Sequence, residues 1–421
     1  MVKEKNKSDK RTNAQTYDFE KVCQFIKNVG KAAHQYGSTT MQLESYLTQL
    51  TTSFGYQGLF RATPTEILFS FRENTNSTDT IYIEPVPPTD FNLNKLSLLG
   101  KLVTDVNSKK LNLIEAERHL ERIEDTPAPW GLKVIAISFV LAGAGFAMML
   151  SGSLPDVLLS AVFSVVVLIL QPLIAIYGGH RASDWSALLT ALVIGVLAAS
   201  SKIFFPVVNL ITVTVSSLII LIPGFSISTG IIEMTSNHVV SGLANLMNGL
   251  LYLVKLFVGT WLGIYAVELV YTLPETIIAE PIAQTWLLLL LPPMMCALAC
   301  IFQTAPKNFL AVVLISSSSL LGMVVGGIML DANFGNLIGT ILPVVFSNLW
   351  SRKTGEPSSI PLLPSIMLIV SGSIGFRGLA TISTGQTALG EQYFIQMFIV
   401  AFTIGAGLLV GNTISRPNSS L

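Results

Sequence analysis

Residues 220–263 read ILIPGFSISTGIIEMTSNHVVSGLANLMNGLLYLVKLFVGTWLG. No charged residue occurs from Ile203 to Ile232, a longer apolar run than the about 20 residues that one bilayer crossing needs. Pro223-Gly224 interrupts that run. Small hydroxyl residues follow (Ser226, Ser228, Thr229), then Gly230, a single carboxylate at Glu233, a second small pair at Ser241-Gly242, and an apolar helix carrying Lys255. A hydrophobic segment broken in this way points to a transporter binding site. Non-helical backbone at membrane depth survives only where protein buries it or where it lines a wet cavity. The plainer alternative is a helix that stops at Pro223, an ordinary loop and a new helix, and the residues alone leave both open.

Working outward, the chain of 421 residues is 51% hydrophobic and 12% charged, with a formal net charge of zero. That composition excludes an ordinary soluble globule and gives no reason to expect a nucleic-acid partner. Its charge is uneven. Seventeen of the 25 Lys and Arg residues precede Ala136, so a soluble N-terminal part is expected ahead of a polytopic membrane part. The basic start KEKNKSDKR has no apolar core behind it and is not read as a signal peptide. Three cysteines form no disulfide framework, and Cys296 and Cys300, four apart on an apolar face, are read as packing.

Residues 1–16 are polar and are expected to be disordered. Residues 17–130 read as a small α+β domain. Phe19, Val22, Phe25, Ile26, Val29 and Ala33 recur at helical spacing up to Gly37, and Leu43, Leu47 and Leu50 mark a second helix. GYQGLFRA, TEILFSFRE and TIYIEPV read as strands, followed by helices near Asn92–Asn107 and Asn112–Glu124. His34 and His119 stand alone, and no nucleophile elbow, zinc-protease or phosphate-loop motif is present. The expectation is a regulatory or docking domain: not an enzyme, with no cofactor and no metal.

The remainder holds about ten apolar segments: Leu132–Leu150, Val157–Tyr177, Trp185–Ser200, Val207–Ile222, Leu243–Leu269, Gln284–Ile301, Phe309–Leu330, Gly335–Trp350, Ile360–Ala380 and Tyr393–Val410. The fold class is therefore read as an all-α polytopic membrane protein with a small soluble α+β domain. Residues 131–270 form one five-helix half and residues 271–421 the other. An odd number of helices per half makes the halves enter the membrane from opposite sides, as an inverted repeat, the usual basis of alternating access. LIPGFSISTG in the fourth segment and LIVSGSIGFRGLA in the ninth both place a small-residue break late in the fourth helix of a half. With the N-terminus inside, inside loops carry Arg181, Lys307, Arg352, Lys353 and Arg416, with Lys133 at the first entry. Outside loops carry Lys202 and Arg377, which favours cytoplasmic termini. Lys255, Arg377 and Asp184 are the intramembrane charges. Asp184 has an alternative as a helix N-cap, and for Lys255 snorkelling to an interface stands level with a role in a site.

PGFSISTGIIEMTSNHVVSGLANLMNGLLY, with the glycine-containing helix ending GTWLG, resembles the Pro-Gly, acid, Ser-Gly signature of the threonine/serine exporter family. VGKAAHQYGSTTMQLESYL resembles that family's N-terminal region, and PLLPSIMLIVSGSIGFRGL its second half. The resemblance implies a multi-pass inner- or plasma-membrane exporter of small hydroxyl amino acids, driven by protons as an antiporter. Pro223, Gly224, Glu233, Ser241 and Gly242 fall on the signature. Many members have Arg-Asp at Ile232-Glu233 and Arg at Asn245, and Pro-Gly is common where this chain has Ser371-Gly372. Glu233 with His238 looks closer to the fungal-type branch.

The mechanism expected from these residues puts the amino acid between the halves, near Pro223-Gly224 and Ser371-Gly372. Ser226, Ser228, Thr229 and Ser241 read its hydroxyl. Glu233 is the first candidate for proton coupling and His238 the second. The partners are then the amino acid, protons and the lipid bilayer, with room for a homo-oligomer. A membrane-bound hydrolase acting through the N-terminal domain, or a transporter of a different small metabolite, is the competing reading.

Overall fold

The structure is a computed structural model. It describes residues 18–416 apart from 74–76, 88, 236–237, 276, 278, 330, 370 and 384. Residues 1–16, expected to be disordered, lie outside the described residues.

The N-terminal unit pairs four helices with a small sheet. Helix α1 (Phe19–Gln35) is N-capped by Asp18, and α2 (Thr40–Ser53) by Thr39. Gly37 and Gly55, with φ of 97° and 88°, turn the chain after each. Strands β1 (Gln57–Ala62), β2 (Glu66–Arg72) and β3 (Thr80–Pro85) form an antiparallel meander in the order β1-β2-β3. Phe60 pairs with Phe69, and Phe69 with Tyr82, so one face of the sheet is aromatic. That face packs on α1 and α2, and Phe69 closes directly on Gly30. Helices α3 (Leu93–Asn107) and α4 (Leu113–Glu124) complete the unit, and α4 opens with a reciprocal Asn112–Glu115 capping box.

The apolar helices follow: α5 (Leu132–Met149), α6 (Leu154–Phe204), α7 (Leu210–Leu218), α8 (Gly224–Thr235), α9 (Val239–Glu268), α10 (Gln284–Ile301), α11 (Phe309–Met329), α12 (Ala332–Thr354), α13 (Ser359–Leu368), α14 (Ser371–Ser383) and α15 (Thr387–Ile414). Among the described residues, eight helical stretches are long and apolar enough to cross a membrane; α10 adds a shorter apolar helix, Leu289–Ile301. The segments read as Val157–Tyr177 and Trp185–Ser200 stand as two spans, Leu154–Ile174 and Trp185–Phe204, parted within α6 at Gly179, whose φ of 65° and ψ of −174° no helix tolerates. One sequence expectation is redrawn. The fourth and ninth segments are each two short helices, α7 with α8 and α13 with α14.

Glycines let these helices approach at backbone distance, the usual substitute for hydrophobic drive between helices in lipid. Gly259 and Gly263 of α9 lie on the carbonyls of Leu188 and Leu192 of α6. Gly407 and Gly411 of α15 lie likewise on the α12 turns that carry the carbonyls of Leu337 and Ile341.

The N-terminal unit is joined to one end of this bundle by a shared core: Ala299, Phe302, Val312, Ile360 and Leu363 belong to the same buried cluster as Phe25, Tyr46 and Phe69. Backbone bonds continue the joint, from Leu93 N–H to Phe302 O at 3.0 Å and from Asn94 N–H to Gln303 O at 2.9 Å. Glu356, between α12 and α13, accepts from Ser97 of α3 at 2.7 Å and from Lys307 at 2.5 Å, and also bonds Asn308. At the opposite end Asp156 is buried, accepting from Ser153 and from the Asn209 N–H at 2.8 Å.

Inside the N-terminal unit, His34 is buried, and its Nε2 has no hydrogen-bond partner. Burial pulls its pKa below the usual value. The unfolded chain therefore takes up a proton that the folded unit refuses. Stability from this group is complete above the unfolded value of about 6.5 and declines as pH falls through it. Thermal melts of the protein should be lower at about pH 5.5 than at about pH 7.5, and His34→Gln should narrow that gap. A gap equal to that of the wild type would show that His34 is not its source.

Candidate functional site

Pro223 has no N–H to offer a helix ladder, and the helix stops ahead of it. Residues 218–222 close as a turn, with Ile222 N–H donating to Leu218 O at 3.1 Å, and α8 begins at Gly224. In the later pair, α13 ends at Leu368, Ile369 leaves helical geometry at φ −86° and ψ 65°, and α14 begins at Ser371. These two interruptions touch. A Cβ placed on Gly372 would stand 2.9 Å from the Gly224 nitrogen, 3.0 Å from its Cα and 2.6 Å from Ile222 Cγ2.

Four helix ends thus meet inside the bundle: the starts of α8 and α14 and the ends of α7 and α13. A helix start carries N–H groups without intrahelical partners and a partial positive charge; a helix end carries carbonyls and a partial negative one. The arrangement can hold a carboxylate and an ammonium group side by side. Ile222, Ile227, Leu368 and Phe376 are all buried around it, so the crossing is closed in this structure. Ser226 and Ser228 lie on the first turns of α8, with Ser228 buried. Thr229 spends its hydroxyl on its own helix, donating to Phe225 O at 2.8 Å. The side chain of Ser371 lies outside the described residues.

A second group lies at the joint between α8 and α9. Glu233, 4% exposed, accepts from Asn245 Nδ2 at 2.7 Å. His238, at the start of α9, places Nδ1 3.7 Å from Glu44 Oε2. Glu44 also accepts from Arg61 at 3.0 Å and from the Ala62 N–H at 3.2 Å. Ser241 donates to Ala62 O at 2.6 Å, and Gly242 lies on the carbonyl of Gly230. The signature residues therefore divide between the helix breaks and a joint covered by the N-terminal unit. Glu44 and Arg61 went unmarked in the sequence, and nothing in their local pattern signals a partner far along the chain. Asn245 stood out only as a departure from the family pattern.

Of the intramembrane charges, Arg377 donates to the Tyr393 hydroxyl at 3.1 Å and lies over its ring. Lys255 is half-buried on α9. Asp184 falls inside α6, not at a helix start, so the N-cap alternative does not apply; its side chain lies outside the described residues. A groove of about 460 Å³ runs beside the joint, lined by Glu44, Ser45, Thr48, Arg61 and His238 among others. Among the described residues, no group of three or more His, Cys, Asp or Glu is arranged to hold a metal.

Residues 24–267 match the family model described as "Putative threonine/serine exporter", and residues 290–414 the one described as "Threonine/Serine exporter, ThrE". Among curated proteins, the chain is similar to pheromone-regulated membrane protein 10 of Pichia sorbitophila, 23% identical over 373 residues, covering 83% of this chain and 36% of that protein. The protein of the same name from Yarrowia lipolytica is 22% identical over 390 residues, covering 87% of this chain and 31% of that protein. The chain thus spans about a third of the length of these relatives. No solved structure matches.

The contact between the breaks gives a direct expectation. In an open helical position, Gly→Ala gains stability, by about 0.5–1 kcal/mol. Gly372→Ala should instead lower the melting temperature of the purified protein, because the new methyl meets Gly224 backbone. Gly327→Ala, where nothing lies within 4 Å, should not. Equal melting of Gly372→Ala and wild type would contradict the crossing.

Proposed function

Because the chain belongs to the threonine/serine exporter family, we propose that it is a secondary transporter that exports a small hydroxyl amino acid, threonine or serine, against protons and by alternating access. The observation that carries this reading is the meeting of two broken helices at Gly224 and Gly372. A zwitterion needs a positive and a negative group a few ångströms apart, and crossed helix starts and ends supply both without a buried side-chain charge.

Alternating access calls for two related halves. The eight long spans, α10 and the broken pair α7–α8 together make the ten crossings of the proposed architecture. Matching glycine contacts support a repeat. Gly230 and Gly242 face one another between α8 and α9, and Gly378 and Gly390 do so between α14 and α15 with the same sequence spacing. Gly249 packs on Ile227 in the first half; at the corresponding places in the second half Gly375 packs on Met397, large and small exchanged. The α6–α9 glycine contacts likewise have counterparts between α12 and α15.

Five crossings per half put the N-terminal unit and the C-terminus on one side. Lys307, Arg352, Lys353 and Arg416 gather at that end, which favours the cytoplasm and a cell membrane, inner or plasma. Glu233 is the proton-coupling group in this reading, with His238 its alternative. Ser226 and Ser228 read the hydroxyl at the crossing in this reading, whereas Ser241 serves the joint.

Counterflow of labelled threonine or serine into proteoliposomes tests the reading. Exchange should saturate and respond to an imposed pH gradient. Glu233→Gln should keep exchange at equal pH and lose at least about tenfold of the gradient-driven component, the loss expected when a group essential to one step is removed. Full gradient-driven export by Glu233→Gln would remove it from the mechanism, and no flux of either amino acid from folded protein would return the substrate to unknown.

A further inference from the structure

Each short helix that follows a break carries one ionisable side chain, Glu233 in α8 and Arg377 in α14, and the two are opposite in sign. The next helix holds each of them from the same place. Gly242 of α9 and Gly390 of α15 pack back on the carbonyls of Gly230 and Gly378, and three positions after each comes the partner. Asn245 donates to Glu233 at 2.7 Å, and the Tyr393 hydroxyl accepts from Arg377 at 3.1 Å. The two short helices leave the crossing in opposite directions. Helix α8 runs to the joint under the N-terminal unit, where Ser241 meets Ala62. Helix α13 starts beside that unit, with Ile360 and Leu363 in its core, so α14 runs away from it. An acid thus stands on one side of the crossing and a base on the other.

The two charges cannot do the same work. A carboxylate gains and loses a proton, whereas a guanidinium stays charged and offers a planar fork of N–H donors that matches a carboxylate. Arg377 is half-buried, about 9 Å along the helix from the end of α14 at Ser383. Among the described residues it has no carboxylate at ion-pair distance. It donates to the neutral Tyr393 hydroxyl, and the ring centre lies 4.8 Å from the guanidinium carbon. Glu391, the acid nearest in sequence, is exposed near the start of α15, and Asp331 accepts from Asn333 and Phe334 as the cap of α12. A snorkelling arginine would reach past the end of its own helix. Tyr393 instead stands level with it, about 9 Å inside the start of α15. A charge at membrane depth faces a partner or a wet path, and this one lacks the anion that its fork matches.

We propose that Arg377, beside the Tyr393 hydroxyl, is a second binding site for the carboxylate of the transported amino acid, on the side of the crossing away from the N-terminal unit. This rests on the transporter reading and extends it. The helix ends at the crossing hold the zwitterion midway, and Arg377 meets its carboxylate on the far stretch of the path. The ligand class is a small monocarboxylate. An amine or alcohol of the same size gains nothing from this site, so Arg377 also sorts amino acids from their neutral-ended analogues.

The test uses the full-length wild-type protein in nanodiscs and phenylglyoxal, which modifies guanidinium groups that meet water. Modification at Arg377 is read on its own peptide by mass spectrometry. Threonine at about ten times its dissociation constant should slow that modification about tenfold. Acetate should protect at higher concentration, and threonine amide, which lacks the carboxylate, should not. Modification that neither threonine nor acetate slows, equal protection by threonine and its amide, or no modification under any condition overturns the assignment. In proteoliposome exchange, Arg377→Gln should weaken the preference for threonine over threonine amide by about tenfold or more, the worth of a charge-assisted hydrogen bond. Arg377→Lys, which keeps the charge, should recover part of it. A merely structural Arg377 would lower the melting temperature and leave the preference unchanged, and an unchanged preference in folded Arg377→Gln overturns the assignment. If that variant does not fold, the protection experiment on the wild type decides. If the wild type exchanges neither threonine nor serine while acetate still protects Arg377, the transporter reading fails and the carboxylate site stands.

Discussion

The contact of Gly224 with Gly372 is the constraint on which the rest of the arrangement depends. The Gly224 backbone can lie about 3 Å from where a Cβ of residue 372 would stand only because residue 372 carries no side chain. Each backbone must also leave the helix at that point, because an unbroken helix would turn its carbonyls and amides inward on itself. Pro223 enforces the first interruption by denying the ladder an N–H. Buried at membrane depth, the freed polar groups must be met by protein or by a bound ligand. A site for a small zwitterion is a natural use of that requirement, since its two charges match the two kinds of helix end.

Around this crossing the helices are held by backbone approach more than by bulk. Gly259 and Gly263 against α6, and Gly407 and Gly411 against α12, bring helices together at carbonyl distance. Such seams are tight and discrete, which suits rigid elements moving against one another better than continuous deformation. The N-terminal unit is tied into the same system at both of its edges, one through backbone bonds at Phe302 and Gln303 and the other through side chains at His238 and Ser241.

Much of this was legible in the sequence. The strand and helix limits of the N-terminal unit follow from Gly37, Gly55, Pro64 and the alternation of Phe60, Ile67, Phe69 and Phe71. The break at Pro223-Gly224 and the small-residue break near Ser371-Gly372 were visible because proline and glycine act locally. The proposed repeat was faint for a physical reason: packing preserves the volume of a pair, and Ile227 with Gly249 against Gly375 with Met397 preserves it by exchanging the members. The partners of His238 and Ser241 were out of reach altogether, since Glu44 and Ala62 come to them only through the tertiary fold.

The most direct test of the crossing as the substrate site is an experimental structure of the full chain in a lipid nanodisc with saturating threonine. The account predicts density for the amino acid between the starts of α8 and α14, its carboxylate toward their N–H groups and its ammonium toward the ends of α7 and α13. Continuous helices through Pro223-Gly224, or threonine bound elsewhere with the crossing empty, would contradict it.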